Sequence, residues 1–388
     1  MHVLIAPDCF SGTLTATQAA EAMADGWRRA APEDLLTLRP LSDGGPGFID
    51  VLEAATAGRT VAVTVPGPLG DPVPAAVLLT EDASGRRTGW VESAQAIGLH
   101  LLDASRRDPG VTSTRGLGEL LRAVLDEGVH RIVVGLGGSG TNDGGAGMLA
   151  ALGAGPDDVL AGGGAGLVAT RVSDLDGLGE VRRLFADVDL VAATDVDAPL
   201  LGLQGASAVY SEQKGASPEQ SQLLEASLGH FADIVRRVSP PGDDLLTGRP
   251  RRLDRTPGAG AAGGTGFGLM VLGARRVSGV QTVIEAAGLE DLVAAADLVV
   301  TGEGRLDFQS LQGKVVAGVC EVAAGHGTPV VAVAGQALLG RREAMAMGAS
   351  GVYAVAERPD QVEAAMADPV GTLTARTERV AATWSPRR

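Results

Sequence analysis

Residues 135–148 read GLGGSGTNDGGAGM, between the apolar run Ile132-Val133-Val134 and the small-residue stretch Ala146–Leu152. An apolar strand, a glycine loop and a helix in that order aim backbone N–H groups at an anion. Such a loop bends sharply and lets a ligand approach its backbone, and glycine permits both. Asn142 and Asp143 place an amide and a carboxylate in its middle. On these residues alone, a plain strand-to-helix turn stands open beside an anion cradle.

The same texture recurs outward from the loop. His2–Ala6 reads as a strand closed by Pro7-Asp8, and the next helix ends at Ala30, with Thr15 and Gln18 spaced as a capping box. Leu35–Leu41 is a second strand, running into Ser42-Asp43-Gly44-Gly45 before the helix Phe48–Ala55. Towards the other end, 297–301, 329–334 and 352–355 read as strands, and 283–296 and 315–324 as helices. Strands that end in carboxylates before helices predict a parallel sheet with ligands at its carboxyl edge. Asp8 and Asp43, taken singly, also suit helix N-caps. From about Val61 the pattern alternates as antiparallel hairpins do. Residues 160–166 read as a flexible glycine-rich connection, and Pro257–Ala274 as a second glycine loop opening onto an apolar helix. The fold class is α/β. Residues 1–62 and 289–388 are expected to build one doubly wound parallel-sheet domain, and 63–288 an inserted α/β domain.

Composition narrows the function. The chain of 388 residues is long enough for two domains, and at 3% aromatic content its core must come from Ala, Val and Leu. A net charge of −15 argues against a nucleic-acid surface. Cys9 and Cys320 form no CxxC, which removes the disulfide and cysteine–metal readings and fits a reducing compartment. The run Val3–Ala6 reads as a first strand and not as a leader, and nothing approaches the roughly 20 apolar residues of a membrane span. A cytoplasmic protein is expected. Of 32 basic residues only Lys214 and Lys314 are lysine, which marks both as candidates for a phosphate or carboxylate contact.

The chemistry follows from what is present and absent. Asp195 and Asp197 close the strand 189–194 and lie on one side of an extended segment. That spacing suits a hydroxyl-proton acceptor or a Mg²⁺ site, with two solvated acids as the alternative. GxGxxG occurs at Gly135 and at Gly258, but no acid-ended strand follows the first by about 20 residues, so a dinucleotide oxidoreductase is only an alternative. GxxxxGK[ST], GxSxG and HExxH are absent from the sequence. Glycine loops, two lone lysines and strand-end carboxylates suit phosphoryl transfer, where the protein positions donor and acceptor and screens charge.

At this point APDCFSGTL (6–14), SDGGPG (42–47), GLGGSGTNDGGAGMLAALGA (135–154), TDVDAPLLG (194–202), GASAVYSEQKGAS (205–217), PGAGAAGG (257–264) and TGEGRLDFQSLQGK (301–314) together resemble the bacterial two-domain glycerate kinase family. The resemblance implies ATP- and Mg²⁺-dependent phosphorylation of D-glycerate, in bacteria most often at the 2-hydroxyl. It also implies a flavodoxin-like domain made from both chain ends, a smaller insertion, and a cleft between them. The implied partners are D-glycerate and ATP, with no nucleic acid and no membrane; a homo-oligomer stays open. Motif positions are occupied by Asp8, Asp43, Asn142, Asp143, Asp195, Asp197, Lys214, Glu303, Arg305, Asp307 and Lys314. Gly137, Gly138, Ser139, Thr141, Asn142, Asp143 and Lys214 are expected at the nucleotide. Asp8, Asp43, Gly44 and Arg305 are expected at the substrate, Arg305 gripping the glycerate carboxylate bidentately. Asp195, Asp307, Lys314 and Arg305 are the expected catalytic residues, and Asp195, Asp197 and Glu303 the expected metal ligands. Ser11, Pro46 and Phe48 depart from the family's usual Lys, Glu and Thr. A kinase for a related hydroxy acid and a non-catalytic ligand-binding relative remain alternatives.

Overall fold

The computed structural model describes residues 1–10, 12–243, 248, 250–311 and 314–385. Its strands are β1 (His2–Ile5), β2 (Leu35–Leu38), β3 (Gly58–Pro66), β4 (Pro72–Glu81), β5 (Arg87–Glu92), β6 (Arg131–Gly135), β7 (Asp189–Ala193), β8 (Arg275–Val277), β9 (Leu298–Thr301), β10 (Arg305–Leu306), β11 (Val330–Ala334), β12 (Gln336–Ala337) and β13 (Gly351–Ala354). The chain divides into two units: Met1–Asp43 with Asp50–Thr56 and Ser278–Arg388, and Gly44–Ile49 with Ala57–Val277.

The first unit carries a parallel sheet in the order β13-β11-β9-β1-β2. Numbered along the chain, its strands run 2-1-3-4-5, the flavodoxin-like order, whose switch point falls between β1 and β9. The strands are near-continuous apolar runs because both faces are covered; Val3, Ile5, Val300, Val331 and Val333 are all buried. The helix Ala16–Ala30 begins at the expected Thr15–Gln18 capping box. It packs on the helix Pro369–Trp384 at Gly26, where a Cβ would strike the carbonyl of Thr374. Trp27, fully buried, donates its indole N–H to Asp34 Oδ2 at 2.9 Å.

The second unit carries the order β3-β4-β5-β6-β7-β8. Pairing is antiparallel from β3 to β5, as the alternating pattern predicts, and parallel from β5 to β8. Its core is aliphatic, with Val77, Val91, Leu121, Ile132, Val134 and Leu149 among the buried members.

Four expectations change. The chain leaves the first unit after Thr56 rather than after residue 62, because β3 pairs with β4 along its whole length from Gly58 to Pro66. At the other crossing the first unit resumes at Ser278, not 289. Residues 160–166 are not a flexible connection: Asp157–Leu160 and Gly164–Ala169 are helical turns, anchored by fully buried Leu160 and Leu167. The single helix expected over 283–296 is two, Gly279–Ala286 and Leu289–Ala294, because Gly288 turns into the left-handed region at φ +60°.

Candidate active site

In the first unit the switch point gathers acids. Asp8 follows β1, Asp43 follows β2, and Glu303 follows β9. Gly302 lets β9 pass close to β11, since a Cβ there would meet the carbonyl of Val333. The Asp8 amide donates to Gly302 O at 2.8 Å and the Gly335 amide to Glu303 O at 3.0 Å, so backbone bonds fix both acids. Burial pushes the Asp8 carboxyl well above the usual carboxylate range; the neighbouring Asp43 and Glu303 charges add to this, and the Cys9 amide bond opposes it. Burial also raises Glu303, against the pull of a Ser310 hydrogen bond and the Lys314 charge; Asp43 and Asp307 push it up further. Glu303 Oε1 is buried without a hydrogen-bond partner among the described residues.

Cations answer these acids. Lys314 Nζ lies 3.9 Å from Glu303 Oε2, at the start of the helix Val315–His326. Arg305 sits on β10, which pairs with β12, and its Nε lies 3.2 Å from Asp307 Oδ2. The arginine is mostly exposed, so its guanidinium is accessible to a ligand. Neither Asp8 nor Asp43 precedes its helix as an N-cap: Thr15 caps the first, and the second begins five residues after Asp43, at Phe48.

In the second unit β6 runs into the glycine loop. Gly137 and Gly138 have to be glycine: a Cβ on Gly137 would meet Gly45 Cα at 2.5 Å, and Gly138 has φ +63° with Pro46 Cγ 2.8 Å from its Cβ position. Gly44, expected with the substrate residues, belongs to this unit, its carbonyl against Gly135. Phe48 packs edge-on against Trp90 at 6.0 Å between ring centroids. Pro46 and Phe48, two of the departures from the family pattern, thus pack around the loop; Ser11, the third, lies outside the described residues.

The loop's polar residues divide into a surface and a foundation. Among the described residues the amides of Gly137, Gly138 and Ser139 have no acceptor, whereas Gly140 N–H donates to Ile97 O at 2.7 Å. Thr141, Asn142 and Asp143 are fully buried. The Asp143 carboxylate accepts from the Thr114 amide and hydroxyl, both at 2.8 Å, and from the Gly145 and Gly147 amides. Burial raises its pKa, opposed by those bonds. Asn142 Nδ2 donates to Ser207 Oγ at 3.0 Å. Lys214, 2% exposed, donates to Ser139 Oγ at 3.0 Å and to Thr141 O at 2.7 Å. All four, expected at the nucleotide, are buried; Asn142, Asp143 and Lys214 brace the loop through these bonds, while Thr141 Oγ1 and Asn142 Oδ1 have no hydrogen-bond partner among the described residues. The second glycine loop abuts the first: the Gly144 amide donates to Gly263 O at 3.1 Å, and successive left-handed residues Ala262, Gly263 and Gly264 allow the approach.

Asp195 follows β7 and is half-buried, with an interaction of its own. Asp197, two residues on, is exposed, and its carboxylate pairs with Arg276 at 2.7 Å. Among the described residues no three Asp, Glu, His or Cys side chains are placed to hold a metal ion; of the expected ligands, Asp195 and Asp197 belong to the second unit and Glu303 to the first. Sequence reasoning missed Glu92, whose buried carboxylate accepts the Gly47 and Ile49 amides, each at 3.2 Å, where the helix Phe48–Ala55 begins. Its place at the end of β5 was the available signal. Thr114 and Ser207, which brace the loop, carried none.

A sequence model of the glycerate kinase family matches residues 3–385. The glycerate kinase of Halalkalibacterium halodurans is 39% identical over 391 residues, covering 99% of this chain and 98% of its own. The glycerate kinase of Bacillus subtilis is 41% identical and the glycerate 2-kinase of Escherichia coli 39%, each over 341 residues, 86% of this chain and 85% of theirs. A glycerate kinase 2 crystal structure from Salmonella typhimurium LT2 superposes with TM-score 0.74 at 37% identity, covering 99% of this chain and 98% of that one.

Proposed function

The chain belongs to the glycerate kinase family, and we propose that it transfers the γ-phosphoryl group of ATP to D-glycerate, at the 2-hydroxyl. The observation that carries this reading is the charge arrangement at the switch point. Asp8, Asp43 and Glu303 close adjacent parallel strands, with Lys314 and Arg305 beside them. A small hydroxy acid needs a cation for its carboxylate and acceptors for its hydroxyls, and this crest supplies both.

In this reading Arg305, held through Nε by Asp307, turns its remaining N–H groups to the glycerate carboxylate. Asp8 and Asp43 accept hydrogen bonds from the hydroxyls, and Lys314 screens the transferring phosphoryl group. The amides of Gly137, Gly138 and Ser139 take nucleotide phosphates, as a glycine loop between strand and helix does. Asp195 accepts the hydroxyl proton, since Asp307 is engaged in holding Arg305. Such transfer asks little covalent chemistry of the protein; placement and charge supply the rate. Mg²⁺ accompanying ATP belongs to the proposal, but the described residues assemble no ligand trio, and no step is assigned to it. A cytoplasmic location is also proposed, where ATP as phosphoryl donor is at hand; separately, among the described residues no helix is long and apolar enough to cross a membrane.

The name of the Escherichia coli relative supports the 2-hydroxyl. Phosphorus NMR of the product tests it. A phosphate split by a single methine proton is expected; splitting by a methylene pair would move the reaction to the 3-hydroxyl.

A further inference from the structure

Lys214 is a buried amine with an unusual set of neighbours. Its Nζ reaches the glycine loop, and both acceptors it meets, the Ser139 hydroxyl and the Thr141 carbonyl, are neutral. Among the described residues no carboxylate lies within ion-pair distance of it. Asp143 attracts it from the same loop, but that carboxylate is occupied by Thr114, Gly145 and Gly147. Other charged or titratable groups come from the segment 98–110, which packs along the loop through the Leu99 amide and against Gly215: these are His100, Asp103, Arg106, Arg107 and Asp108. Glu212 stands on the lysine's own turn. Of these charges, that of Asp143 favours the protonated amine.

We propose that Lys214 is the counter-charge of the nucleotide site, neutral when the loop is empty and protonated when phosphates occupy it, so that ATP binding takes one proton from the buffer to Lys214 Nζ. This rests on the reading of Gly137–Ser139 as the phosphate-binding amides. An ammonium buried among neutral acceptors carries a desolvation penalty. Burial accordingly pushes Lys214 down to about 7, with Asp143 opposing. A phosphate on the amide beside Ser139, the residue whose hydroxyl Lys214 holds, brings negative charge to the other side of the same loop. That charge favours the protonated amine, and by reciprocity the protonated amine favours the phosphate. Lys214 is in this account a positioning residue: it acts through the loop and does not touch the ligand.

The test is calorimetric titration of the full chain with Mg²⁺-saturated ATP, without glycerate, in buffers of different ionisation heat at about pH 7 and about pH 8. The wild type is expected to take up close to one proton at the higher pH, with Kd weakening by up to about tenfold per pH unit above 7. In Lys214→Met the uptake and the pH dependence both vanish, and any ionisation of the nucleotide itself cancels in the comparison. Equal uptake in the two proteins overturns the inference. Should the variant fail to fold, zero uptake by the wild type overturns it alone. Gly138→Ala separates the premise: unchanged ATP affinity there removes the loop from the nucleotide site and the inference with it. Weakened affinity in Gly138→Ala with zero uptake in the wild type removes only the role of Lys214.

Discussion

Lys314 Nζ stands 3.9 Å from Glu303 Oε2, a lone lysine beside a carboxylate that burial has pushed upward. In the proposed reaction the pair links the neutralisation of a buried acid to the cation that would screen the transferring phosphoryl group. Lys314→Ala is expected to lower kcat/KM by about 1.5–3 kcal/mol, the range for a hydrogen bond to a charged group. Steady-state kinetics check this, and an unchanged kcat/KM would remove Lys314 from the reaction.

Asp8 gives a prediction with a sign. Its carboxyl is raised in the folded protein, by burial first and then by Asp43 and Glu303. The folded state therefore binds the proton before the unfolded chain does. The contribution of this group to stability is full below the unfolded value of about 3.9 and is lost as pH rises through the raised one. Asp8→Asn should raise Tm at neutral pH, by about 1–4 kcal/mol of stability, while reducing turnover. The gain should shrink as pH falls towards about 4. A gain independent of pH would show that the Asp8 charge is not its source.

Asp143 predicts the reverse. Removing its carboxylate strands the Thr114, Gly145 and Gly147 donors in a buried position. Asp143→Ala should cost about 3 kcal/mol or more in denaturant unfolding, with loss of the loop's shape. Wild-type stability in this variant would contradict the foundation role.

Gly138→Ala adds a Cβ at φ +63° and against Pro46. The left-handed backbone alone costs about 1–2 kcal/mol. The KM for ATP should rise while the KM for D-glycerate holds, because the displaced atoms belong to the loop. Equal rises in both would point to general unfolding.

Much of this was legible in the sequence. Asp8, Asp43 and Glu303 could be placed at strand ends because parallel strands buried on both faces read as unbroken apolar runs, and a carboxylate just after such a run has few places to be. The Thr15–Gln18 box and Phe48–Ala55 came from local chemistry that tertiary contacts did not override. What spacing could not reveal was which side of the loop each polar residue faces. Asn142, Asp143 and Lys214 look like ligand-binding groups in a motif, yet their partners are Ser207, Thr114 and Ser139, all three distant in sequence from the residues they meet. Nor could spacing reveal that Asp197 pairs with Arg276, on a strand about 80 residues on.

The most direct test is the rate of ADP release at saturating ATP, with and without D-glycerate, for the wild type and Asp195→Asn. Release should depend on D-glycerate in the wild type. It should be abolished in the variant, which removes charge without volume and should melt as the wild type does. ATP consumption indifferent to D-glycerate, or near-normal kcat in Asp195→Asn, would contradict the account.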